Sequence, residues 1–270
     1  MNDSTSTLTA PITRLDKLPE MDEKQLLHYL AFEAALSSSD YLLEKKVEVK
    51  RLRKRDIRTA SQTLIDASEH DPLAVYVRDT PDARRPKLHR KSERLRYAIG
   101  CRQWVRRNWG LTVNEGRAVV CALPATESNK KTRRDKRIDG FYRLISRALS
   151  LIGDSKLQRK RYNEVSRILD EFSANTLGSA VREMWSVNAL ATSPDFQRRG
   201  YGGALVDAIT KMADAESRST YLLSSNPANT EFYNSHGFFT IAEVFIGVDD
   251  PTWHRPPLPI ALMVRIFGDQ

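Results

Sequence analysis

The chain has 270 residues, 40% of them hydrophobic, with 12 glycines and 12 prolines, which is long and apolar enough for a folded globular protein with a real core. No apolar run approaches the roughly 18 residues of a membrane-spanning helix, and the two cysteines, Cys101 and Cys121, have no His or Cys neighbours at zinc-ligand spacing, so neither a membrane span nor a structural metal is expected. The net charge of +9 is uneven: residues 1–180 hold 36 Lys/Arg against 24 Asp/Glu, and residues 181–270 hold 7 against 10.

Residues 1–21 are Ser/Thr-rich, lack the apolar core of a signal peptide and read as a disordered tail, which with the two unpaired thiols predicts an intracellular, cytoplasmic protein. Over 22–37, Leu26, Leu27, Leu30, Ala31 and Ala34 recur at helical spacing, predicting a helical extension over 22–44 ahead of a main domain over 45–270. Residues 45–52 alternate as a strand, and 57–68 have helical spacing. A turn is placed at Asp71-Pro72, then a helix over 87–107. The segments 111–113 and 117–123 read as a hairpin around Asn114-Glu115-Gly116, whose residue types suit a tight turn.

Between 124 and 179 the pattern becomes insertion-like, with a charged loop and then helices near 138–151 and 156–174. Its run Lys130 to Arg137 has the composition of a nuclear localisation signal, so nuclear import is a second possibility for location. The basic clusters at 45–55, 84–107 and 130–137 read first as solvated helix faces. Charge of this kind also attracts nucleic acid, acidic protein or a polyanionic cofactor. From 181 the reading is strand to 191, loop over 194–200, helix over 202–216, strand 220–224, short helix 229–235, and strands 238–248 and 260–267.

The most informative local feature is Gln197-Arg198-Arg199-Gly200-Tyr201-Gly202-Gly203, set between a predicted strand and an amphipathic helix. The first backbone N–H groups of a helix have no partners within it, and glycines let an anion approach them. Arg198 and Arg199 add charge suited to a diphosphate. The spacing matches neither a P-loop nor a dinucleotide fingerprint.

The run from Leu190 through Ala191 and Thr192 to Gly202 resembles the acetyl-CoA signature of the GNAT superfamily, whose central pattern is [Q/R]-x-x-G-x-[G/A]. About thirty residues on, Asn226-Pro227-Ala228-Asn229-Thr230-Glu231-Phe232-Tyr233 with Gly237-Phe238 resembles that family's second motif. These sharp matches cover only the later third of the chain. The resemblance implies an α/β fold: a twisted mixed sheet flanked by helices, here with the N-terminal helical extension and the helical insertion. It further implies two parallel strands, near 184–191 and 220–224, that splay to admit the pantetheine arm of acetyl-CoA against backbone near Leu190 and Thr192. The segment from Arg198 to Gly203 would receive the diphosphate, with Gln197 before it also in the cofactor-binding motif, and Asn226 and Asn229 would hold the arm or start the short helix.

Chemistry in that family is usually direct attack of a neutral amine on the thioester. Tyr233 matches the usual general acid and backbone N–H near Leu190 the oxyanion donor. The family's frequent glutamate base does not carry over, because Tyr221 stands at its position; Glu183 is the candidate, with Asp250 and His254 behind it and a water chain as the alternative. The expected function is transfer of an acetyl group from acetyl-CoA to the primary amine of a small molecule. Acetylation of a protein N-terminus or lysine and a non-catalytic CoA sensor are the rivals. Nucleic acid is expected to bind only nonspecifically, since aromatics are not interleaved with the basic clusters in the manner of stacking platforms. No membrane partner is expected, and the sequence leaves the oligomeric state open.

Overall fold

A computed structural model describes residues 47–83, 85–126 and 132–268. The predicted tail over 1–21 and extension over 22–44 lie outside the described residues, as do positions 127–131.

Seven strands form one mixed sheet. In chain order they are β1 (Lys50–Arg51), β2 (Gly110–Val113), β3 (Ala118–Leu123), β4 (Trp185–Thr192), β5 (Thr220–Ser224), β6 (Phe239–Ile246) and β7 (Leu258–Arg265), arranged β1-β2-β3-β4-β5-β7-β6. Only β4 and β5 run parallel. The β2–β3 hairpin turns where the sequence places it: Asn114, Glu115 and Gly116 all take positive φ, at 51°, 51° and 99°. Gly116 is required there, because a Cβ would lie 2.8 Å from the Ala60 backbone nitrogen.

Helices cover both faces, which is why β3 reads as an unbroken apolar run rather than an alternating one. Ala118, Val120 and Ala122 face α6 (Tyr201–Ala215), whose Leu205, Val206, Ile209 and Ala213 recur at helical spacing and are buried against them. Burying each of the larger ones stabilises the fold by about 1.5–3 kcal/mol. On the other face Val119 meets Ile57, Ala60 and Leu64 of α1 (Ile57–Ser68) and Cys101 of α3 (Pro86–Arg107). A third cluster joins Tyr76 of α2 (Pro72–Arg78) and Val165 of α5 (Lys156–Leu177) to Ile246 and Ile260. Both cysteines are buried free thiols, and burial pushes Cys101 up to about 12 and Cys121 up as well.

The structure departs from the sequence reading in places. Asp71-Pro72 opens α2 instead of making a turn: Pro is pre-set for the first helical position, and the Asp71 carboxylate accepts from the Ala74 N–H at 2.9 Å. The strand expected from 181 begins only at Trp185, since residues 178–182 wind into a 3-10 turn. In the 124–179 segment, α4 (Arg133–Gly153) and α5 each start with a capping box, Thr132 with Asp135 and Ser155 with Gln158. The bend between them is tied to α3 through Asp154, whose carboxylate accepts from Arg96 at 2.9 Å and Ser150 at 2.6 Å and contacts His89 Nδ1 at 2.9 Å.

Candidate active site

The site originates in a pairing failure between parallel neighbours. β4 and β5 are in register at Trp185–Thr220, Ser186–Tyr221 and Val187–Leu222, and nowhere beyond. On the other side of β4, Cys121 pairs with Ala189 but Ala122 pairs with Val187, leaving Asn188 as an extra residue. A bulge of this kind bends its strand and reverses the facing of the residues beyond it. Accordingly Val187 and Leu190, three residues apart, both pack on the α6 side, while Ala189 and Ala191 pack on the α1 side. Past the bulge β4 stays with β3, and β5 stays with β7 as far as Ser224–Ala261. A wedge opens between them.

The edge of that wedge carries free backbone groups. Ser193 N–H donates to the Arg117 carbonyl at 2.8 Å, toward β3. Antiparallel alternation then turns Ala191 the same way and turns the N–H and C=O of Leu190 and Thr192 toward the gap. Gln197 Nε2 approaches the Thr192 carbonyl at 3.3 Å, which ties the next loop to the strand end.

That loop brings the Gly/Arg motif to the mouth of the wedge. Arg198 and Gly200 take left-handed φ of 57° and 73°, and Gly200 caps α6 with no side chain on the helix's first N–H groups. These donors sit at the positive end of a 15-residue helix, where an anion is stabilised. Arg199 lies over the Phe196 ring at 4.9 Å and donates to the Asp195 carbonyl, and Arg117 lies at 5.1 Å from the same ring. Tyr201 stacks beside Phe196 with centroids 6.4 Å apart. A Cβ on Gly202 would meet Phe232 at 3.5 Å and Thr192 Oγ1 at 3.9 Å, and one on Gly203 would meet the His236 ring at 3.1 Å. The glycines thus keep the helix start close to the second motif.

Tyr233 stands on α7 (Thr230–Asn234), edge-on to Phe232 and Phe238, and packs on the main core. Burial, reinforced by the negative charge of Asp71, pushes its phenol up to about 12. Asp71 accepts from Ser225 Oγ at 2.7 Å, so the carboxylate that caps α2 is also tethered to the end of β5. Asn226 caps its own short turn, accepting from the Ala228 N–H at 3.1 Å. Asn229 is exposed and makes no side-chain cap.

A family model described as an acetyltransferase (GNAT) domain matches residues 166–239, the stretch that contains the wedge, the glycine loop and Tyr233. An uncharacterized N-acetyltransferase of Schizosaccharomyces pombe is 24% identical over 221 residues, covering 80% of this chain and 82% of its own length. Among solved structures, a mutant agmatine N-acetyltransferase in its apo form superposes with a TM-score of 0.51 at 13% identity, covering 81% of this chain and 98% of its own. A histone acetyltransferase-related protein from Corynebacterium glutamicum aligns with a TM-score of 0.49 at 16% identity, over 83% of this chain and 98% of its own. The chain carries a GNAT acetyltransferase domain over residues 166–239. It is an acyltransferase, and the observed mixed sheet with flanking helices is the GNAT fold.

Within this GNAT domain Leu190, Tyr201 and Tyr233 pack on one core cluster and Gly202 lies close to Thr192 and Phe232, while the candidate bases lie elsewhere. Glu183 does not reach the wedge. It is exposed beyond the opposite end of β4, seven residues before Leu190, or roughly 23 Å along a strand, and its carbonyl accepts from Arg218. Asp250 is engaged in the fold: Arg161 Nε donates to it at 2.7 Å and Tyr76 at 3.0 Å, while Trp253 packs edge-on to Tyr76 with centroids 5.0 Å apart. His254 is exposed on the same pinned loop. Tyr221, at the position of the family's glutamate, has its phenol raised by burial, offset in part by a hydrogen bond with Ser186. Sequence reasoning missed Asp71. The signal was present in Asp71-Pro72 as a helix N-cap and its Pro, but nothing local linked it to Ser225, 154 residues away. Among the described residues no helix is long and apolar enough to cross a membrane, and no His/Cys/Asp/Glu cluster could hold a metal.

Proposed function

We propose that the protein transfers an acetyl group from acetyl-CoA to the primary amine of a small molecule, with the wedge between β4 and β5 as the donor site. The carrying observation is that β4 and β5 pair only from Trp185–Thr220 to Val187–Leu222, so that beyond the bulge the gap-facing backbone of Leu190 and Thr192 leads to the open N-terminus of α6, with Tyr233 packed on the same core cluster as Leu190. These features fit the donor: an extended amide-bearing arm can pair with a free strand edge, and a diphosphate suits bare helix N–H groups beside Arg198 and Arg199. Ala191 packs the strand in place, and Gln197, Gly200, Tyr201, Gly202 and Gly203 shape the loop. Asn226 and Asn229 border the cleft beyond β5. Bound acetyl-CoA supplies an activated acyl thioester.

The Leu190 N–H is the oxyanion donor in this reading. Tyr233 Oη holds its proton through the physiological range, because its pKa is raised and not lowered, and is the proton source for a departing thiolate. Asp71 takes the acceptor ammonium. Its carboxylate is fixed by Ala74 N–H and Ser225 Oγ and lies close enough to raise Tyr233, so a cation beside it is steered to the reacting end. The held ammonium loses a proton to a water chain before the neutral amine attacks, the proton-removing task for which Glu183 was the sequence candidate.

Calorimetric titration of acetyl-CoA into the wild type and into Gly202→Trp, checked for folding, tests the donor site. Binding that disappears in the variant supports it, and no binding to folded wild type refutes it. Activity of the wild type on a panel of small-molecule amines against peptide pools then tests the acceptor. Turnover confined to peptides would assign a protein acetyltransferase, and binding without turnover on either set would assign a CoA sensor.

A further inference from the structure

On the face of the sheet away from α6, the helices α1, α3 and α4 enclose an open groove of about 1020 Å³. Its walls carry Lys54, Arg55, Arg58, Lys91, Arg94, Arg102 and Arg106, and among the described residues no carboxylate lines it. Arg106 is paired with Asp135 and Asp139, and Arg55 lies 3.5 Å from Asp56 and 3.7 Å from Glu115. The other five have no carboxylate partner among the described residues, and all five are exposed. Five cations facing one trough, with no carboxylate partner among the described residues, repel one another and raise a local positive potential that a polyanion relieves.

We infer that this groove binds a single strand of nucleic acid along its phosphate backbone, at a site separate from the donor cleft. Three features favour a strand over another polyanion. The cations of α3 recur along one side of the helix, and from Lys91 to Arg106 they span about 22 Å at 1.5 Å per residue, the length of roughly six phosphates of a stacked strand. Arginine predominates, and its planar fork suits both phosphate oxygens and base faces. The floor holds Ile57, Leu95, Val105 and the ring of Tyr142, so bases turned inward have an apolar and aromatic surface. Tyr97 and Trp104 of α3 pack inward on the α1-side core and leave this wall without an aromatic of its own. Tyr142 arrives from α4, docked on α3 by the Arg106 and Arg107 ion pairs.

Fluorescence anisotropy with a labelled uridine oligonucleotide of about 12 nucleotides, titrated between about 50 and 200 mM salt, reads this site. The expected result is binding whose logarithm falls with log salt at a slope near −3.5 for about five phosphates. Lys91→Glu/Arg94→Glu/Arg102→Glu should weaken it at least about tenfold, with circular dichroism and acetyl-CoA titration unchanged. Arg133→Glu/Arg134→Glu/Arg137→Glu removes the same charge elsewhere and should leave it within about threefold. If the groove triple variant misfolds, Arg94→Gln/Arg102→Gln provides the same comparison with a smaller expected loss. Equal losses in the two charge sets, no binding near 150 mM salt, or equally tight binding of a polyglutamate peptide would each overturn the inference. The last outcome would assign the groove to an acidic protein instead.

Discussion

Tyr233 has the two properties a proton donor at this cleft requires. It packs on the core beside Phe232 and Phe238, which fixes its ring, and burial with the Asp71 charge keeps it protonated to about 12. Tyr233→Phe retains the packing and removes the proton, so turnover should fall by about a hundredfold with little change in acetyl-CoA affinity by calorimetry. Because the pKa is raised on folding, the Tyr233 contribution to stability is fully present below the ordinary tyrosine value and is lost as pH rises through about 12. Activity loss at moderately alkaline pH must therefore have another origin. Asp71→Asn should raise the KM for a cationic amine more than it lowers kcat, and the effect should shrink for an uncharged amine acceptor. Steady-state kinetics on such a pair decides it. Of these two residues only Tyr233 was legible in the sequence, since it sits inside a contiguous motif, whereas Asp71 acquires its meaning from a contact with Ser225 across the fold.

At the scale of elements, the loop between β6 and β7 is held in place by a buried ion pair. Arg161 is 1% exposed, and its guanidinium donates to Asp250, Thr252 and the carbonyls of Tyr76 and Asp79. It also lies over the rings of Tyr76 and Trp253, at 4.4 and 5.5 Å. Arg161→Met should destabilise the protein by about 3–5 kcal/mol, because it leaves the acceptors around it unpaired; urea unfolding measures this. Burial alone would raise the Asp250 carboxyl, but hydrogen bonds from Thr252, Arg161 and Tyr76 outweigh it and hold the group at about 2. A depressed carboxylate stabilises the fold above its unfolded value and ceases to do so as pH falls. The stability gap between wild type and Asp250→Asn should therefore be full above about pH 4 and close near pH 2. From the sequence this loop offered only Asp250 and His254 as secondary candidates for the base. Its partner Arg161, 89 residues earlier on α5, shows what holds it.

For the whole molecule, folding and donor binding are linked. A ligand that binds only the native state adds about 2.7 kcal/mol at a hundredfold excess over its Kd, so acetyl-CoA should raise the Tm of wild type and leave that of Gly202→Trp unchanged in a thermal-shift measurement. The periodicities of α1 and α6, the β2–β3 turn and the two GNAT motifs were readable in the sequence alone. Each is local: apolar spacing of 3.6 residues, residues that tolerate positive φ, and glycines where backbone must come close. The three-dimensional fold alone decided where Asn188 leaves the ladder and opens the wedge, that Glu183 lies at the far end of β4 from Leu190, that Asp71 is tied to Ser225 at the end of β5, and that three helices gather their cations into one groove. The physical reason is common to all four. Register between strands and contacts between helices are set by burial summed over distant segments, and no window of neighbouring residues contains that sum.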